Sequence, residues 1–68
     1  MKETWLVYDE STMKILDWRT DEVLWWMKVG GGIEYADAMK YALAAAKARG
    51  YKLVDSEPNL AGNTWRGE

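Results

Sequence analysis

Up to Val29, apolar positions come in short runs separated by polar turn formers. TWLVY (Thr4 to Tyr8) is β-branched and aromatic, and DEST (Asp9 to Thr12) interrupts it. MKILDW (Met13 to Trp18) then alternates imperfectly, RTDE (Arg19 to Glu22) breaks the pattern again, and VLWWMKV (Val23 to Val29) follows. Runs of this length, bounded by such residues, predict a β-hairpin and a third strand.

The third run has a helical rival. Thr20 suits an N-cap, Asp21 and Glu22 suit a first helical turn, and Gly30 suits the position after a helix end. Periodicity decides for the strand. Wound at about 100° per residue, Val23, Leu24, Trp25, Trp26, Met27 and Val29 would spread apolar groups around the whole circumference. So small a domain has nothing to bury such a helix against on all sides.

IEYADAMKYALAAAKARG is helical in pattern from Ile33 to Arg49. Tyr35, Ala38, Met39, Ala42, Ala45 and Ala46 fall on one stripe, with Leu43 at its edge. Asp37, Lys40, Ala44 and Lys47 form the wet side. Acids occupy the first turn and bases the last, and Gly50 follows as a terminating residue. YKLVD (Tyr51 to Asp55) reads as a last strand, which gives β-β-β-α-β. The predicted class is α+β, a small, mostly antiparallel sheet with one helix packed on one face. Residues 1–55 make the domain, and 56–68 form a Pro/Gly/Asn-punctuated tail.

Side chains alternate along a strand, so Trp25 and Trp26 point opposite ways. Grouping by lysine content assigns Lys14, Leu16, Trp18, Leu24, Trp26, Lys28, Lys52 and Val54 to a face without a helix. Met13, Ile15, Val23, Trp25, Met27, Val29, Tyr51 and Leu53 go under the helix. For the first strand two assignments stay open: either Trp5 with Val7 or Leu6 with Tyr8 turns inward. One helix covers one face. Unless the tail folds back, with Leu60 and Trp65 against the other, Trp18 and Trp26 lie in water among lysines. Large exposed apolar patches usually mark binding sites.

Composition narrows the function further. The chain has 68 residues, 49% apolar and 29% charged, which suits one folded domain with a small core. It contains no cysteine and no histidine, so disulfides, thiolate zinc sites and histidine-based catalysis are excluded. No apolar run reaches membrane-span length, and the N-terminus carries acids where a signal peptide needs an apolar stretch, so a cytoplasmic location, bacterial or host, is expected. The net charge of −2 argues against a dedicated duplex binder.

Other chemistry is thinly supported. Gly30, Gly31 and Gly32 lack the lysine and hydroxyl of a phosphate loop, and Glu34 and Asp37 are close by, so they read as a strand-to-helix link. Asp9, Asp17, Asp21 and Glu22 could meet around a hard cation, but their spacing matches no calcium loop and solvated turn acids are the simpler reading. The expectation is therefore a non-enzymatic protein-binding module that uses no cofactor or metal. Leu16, Trp18, Leu24 and Trp26 are its contact residues, Lys14, Lys28 and Lys52 frame them, and Tyr41 on the helix flank is a candidate rim contact. The partner is another protein or a second copy, with the acidic turns steering toward a basic surface. Size and composition, though no motif, match small stoichiometric inhibitors such as the phage-encoded anti-CRISPR proteins. The alternative is a single-stranded nucleic-acid binder that stacks bases on the same face.

Overall fold

In the computed structural model, which describes residues 1–56, the order is β1 (Glu3–Asp9), β2 (Thr12–Asp17), β3 (Val23–Lys28), α1 (Tyr35–Ala48) and β4 (Lys52–Ser56). The strands form one sheet in the order β3-β2-β1-β4. Both hairpins are antiparallel, and β4 returns parallel to β1, so the sheet is mixed. Among the described residues, the element order and the one helix are as predicted.

Trp25 is half-buried and packs against the core, whereas Trp26 is 59% exposed. The extended backbone of β3 sends the two neighbouring indoles to opposite sides of the sheet, as its alternation requires. Registers extend this across the strands, because directly opposite residues share a face. Leu6 aligns with Ile15 and Ile15 with Trp25, while Tyr8 aligns with Met13 and Met13 with Met27. That set lies under α1. Leu6 and Tyr8 are therefore the inward pair of β1, and Trp5 and Val7 belong to the other face.

The helix contributes small residues to this core and the sheet large ones. Ala38, Met39, Ala42, Ala45 and Ala46 are buried on α1, facing fully buried Leu6, Met13 and Ile15. Small side chains bring the helix axis close to the sheet, so volume must come from the strands. Tyr35 closes the N-terminal end of the stripe, its ring 5.2 Å from that of Tyr8 in an edge-to-face contact. Asp37, Lys40, Ala44 and Lys47 are exposed, as the periodicity predicts.

Backbone geometry at the helix ends follows the residues there. Gly50 adopts φ 72°, its amide donates to the Lys47 carbonyl, and the Tyr51 amide donates to that of Ala46. This pair of bonds ends the helix and turns the chain straight into β4. Before the helix, the Gly30 amide donates to the Ile33 carbonyl and the Ile33 amide to that of Gly30. Gly30 and Gly32 there adopt φ 105° and 103°, which side-chain-bearing residues rarely reach.

Two irregularities shift faces. Leu16 aligns with Val23 although Ile15 aligns with Trp25, which leaves Leu24 as an extra residue on β3. This bulge returns Val23 to the face away from the helix, where it is 46% exposed. The expectation that Val23 lies beneath the helix is corrected accordingly. A second shift lies where β1 meets β4: Thr4 pairs with Leu53 and Trp5 with Asp55, leaving Val54 unpaired.

Candidate functional site: the open face of the sheet

The face opposite α1 can be read row by row from the register. Trp5, Leu16 and Val23 form one row, and Val7, Lys14 and Trp26 form the next. Thr12 and Lys28 make a third toward the β1–β2 turn. Trp18 follows the end of β2 and is held beside β1, its amide donating to the Glu3 carbonyl at 3.0 Å. Its indole meets that of Trp5 edge to face, with centroids 5.8 Å apart and planes at 84°.

Most expected residues therefore do share this side. Trp18 is 44% exposed, Trp26 59% and Lys28 exposed, while Lys14, Leu16 and Leu24 are half-buried. Their arrangement departs from the expectation at Lys14, Lys52 and Tyr41. Lys14 lies in the middle of the patch, directly across from both Val7 and Trp26, and does not frame it. Lys52 is exposed but sits at the far edge, paired with Glu3. Tyr41, 55% exposed, belongs to the helix layer on the other side of the sheet and does not join this face. The expectation for Leu60 and Trp65 lies outside the described residues.

Trp5, Val7 and Val23 belong to the face without having been assigned to it. Val7 is only 8% exposed despite facing away from the helix. Trp5 is half-buried, and its Nε1–H, itself buried, donates to no acceptor among the described residues. A buried donor left unpaired costs about 1–3 kcal/mol. Their membership follows from pairing Trp5 with Leu16 and Val7 with Lys14, a register that strand alternation alone does not supply.

Charge is distributed by the turns. Asp9 and Glu10 sit at the β1–β2 turn, while Asp17, Asp21 and Glu22 sit at the β2–β3 turn, at the opposite end of the sheet. The topology thus keeps these acids from meeting around one cation, and no cluster suited to a metal occurs among the described residues. Asp17 is committed elsewhere. Its Oδ1 accepts the amides of Arg19 at 2.8 Å and Thr20 at 3.2 Å, and its Oδ2 accepts Lys2 Nζ at 3.1 Å. The Arg19 amide first, then the Lys2 ammonium, hold its carboxyl below the ordinary value of 3.8. A shallow hollow of about 380 Å³ opens beside this pair, lined by Met1, Lys2, Glu3, Asp17 and Arg19. Its Lys2 and Asp17 charges are already paired with each other.

The chain matches no protein-family model, no curated protein and no solved structure. No helix among the described residues is long and apolar enough to cross a membrane.

Proposed function

We propose that this protein is a binding module whose open sheet face, built around Trp26, Val23, Leu16, Trp18 and Trp5, docks onto another protein. The observation that carries the reading is the exposure of Trp26, 59%, on the side of the sheet away from its helix. Covering the remainder of that side chain is worth on the order of 3 kcal/mol at roughly 25 cal/mol per Å². Val23 and Trp18 add to the same surface. Aromatic anchors ringed by polar groups are what protein interfaces use for most of their binding energy.

Lys14 supports a partner whose contact surface includes a carboxylate. Lys14 sits opposite Trp26 in the register, where a docked apolar group would exclude water and strengthen such a pairing. Among modules that work by occupancy, small inhibitors of bacterial defence systems fit the size and composition of this chain, and blocking a larger protein's working surface is the action proposed. Single-strand nucleic-acid binding draws on the same Lys14–Trp26 row and predicts a steep loss of affinity with salt.

Affinity capture with chemical cross-linking separates the readings, comparing the wild type with a Trp18→Ser/Trp26→Ser variant. The wild type retains a partner, and the variant loses it while circular dichroism shows that it keeps its fold. A partner held equally by both proteins would overturn the assignment of the face. Single-stranded DNA or RNA bound with a steep salt dependence would replace it with the nucleic-acid reading.

A further inference from the structure

Exposure on the open face is lopsided. Along the row of Val7, Lys14 and Trp26 it rises from 8% at Val7 to 59% at Trp26. Position in the sheet does not account for the low end. β4 stops at Ser56, which pairs with Leu6, so among the described residues no strand flanks Val7 on that side. The helix packs across the opposite face. Trp5 and Lys14 stand beside Val7 and not over it, because side chains rise roughly perpendicular to a sheet. A valine so placed keeps part of its outward surface in water unless something lies on top of it.

Trp5, two residues away on the same face, has a matching need. Its Nε1–H is buried and donates to no acceptor among the described residues. Buried indole N–H groups ordinarily have a partner. A cover that brings an acceptor with it accounts for both Val7 and Trp5.

The chain continues from this spot. Ser56 leaves β4 beside Leu6, one residue short of Val7 along β1. Of the two faces within reach there, α1 occupies one. Residues 57–68 read EPNLAGNTWRGE. Leu60 follows Ser56 at a reach of up to about 13 Å, whereas neighbouring strands lie only about 4.8 Å apart. It is the first large aliphatic side chain beyond β4. Asn59, Asn63 and the main chain around them carry carbonyl oxygens that an indole N–H can use.

We infer that residues 57–68 fold back over the β1 side of the open face, seating Leu60 on Val7 and giving Trp5 Nε1–H a carbonyl acceptor. Trp26 and Val23, exposed on the β3 side, are left to a partner. The inference does not rest on the partner reading and is tested with the protein alone.

Nuclear Overhauser spectra of the full chain, recorded on a mixture of isotope-labelled and unlabelled protein, provide the test. Contacts are expected between the methyl groups of Leu60 and Val7 within one chain. Leu60→Ser should keep the amide spectrum of the folded domain while the Trp5 indole N–H exchanges with solvent about tenfold faster. The Trp26 indole, on the far side of the face, should exchange as before. Absence of any contact from residues 57–68 to Val7 or Trp5 overturns the inference. So does a contact found only between chains, or a Trp5 exchange rate that ignores Leu60→Ser. Partner capture by the Trp18→Ser/Trp26→Ser variant bears on the other reading alone, so the two can fail separately.

Discussion

Asp17 organises the β2–β3 turn by accepting two successive amides, those of Arg19 and Thr20, while Lys2 approaches from the start of β1. All three favour its ionised form, so its folded value lies below the ordinary 3.8. The sign follows by linkage. Stability from this group is complete above about pH 5 and drains as pH falls through 3.8 toward the lower folded value. Denaturant unfolding at pH 6 and pH 3 should therefore show a larger loss for the wild type than for Asp17→Asn. Equal losses would remove Asp17 from the account of acid sensitivity. At the other end of the sheet, Glu10 and Ser11 take φ 49° and 60° in a two-residue hairpin turn. Asn and Gly fit that conformation better. Glu10→Asn/Ser11→Gly should stabilise the fold by about 1 kcal/mol, raising the melting temperature roughly 4–8 °C. A fall in melting temperature would mean that the native side chains make contacts beyond the turn.

Among the elements, α1 was the most legible. Its stripe repeats at helical spacing over several turns, each position reinforcing the next, and Ala38, Met39, Ala42, Ala45 and Ala46 are buried as that spacing requires. The close approach it permits has a cost for larger residues. Ala42→Leu should destabilise the protein by about 1–3 kcal/mol through overpacking against β2 and β3. Ala44→Leu, on the wet side, should stay within about 0.5 kcal/mol in the same denaturation experiment. Similar values at both positions would contradict the packing. The strands were legible as elements but less so as faces. A single extra residue reverses every side chain beyond it, and nothing in VLWW marks Leu24 as that residue. Val23 was misplaced for this reason. The inward side of β1 stayed open because Trp5/Val7 and Leu6/Tyr8 are equally apolar pairs, and only pairing with β2 distinguishes them.

For the whole molecule, the sheet has two large faces and the described chain supplies one helix. That imbalance was readable from the lysines at positions 14 and 28 and from the tandem indoles. The composition of the patch was not, because Trp5, Val7 and Val23 join it only through register. The surface that results is a short apolar band crossed by one lysine, with acidic turns at both ends of the sheet. Its exposed aromatics should tolerate replacement where the half-buried one does not. Substituting serine at 25 and at 26, one at a time, and measuring unfolding free energies tests this division most directly. Trp25→Ser should cost about 2–4 kcal/mol through lost packing beneath α1, and Trp26→Ser less than about 1. Equal costs at the two positions, or a greater one at Trp26, would contradict the assignment of these neighbours to a covered and an open face.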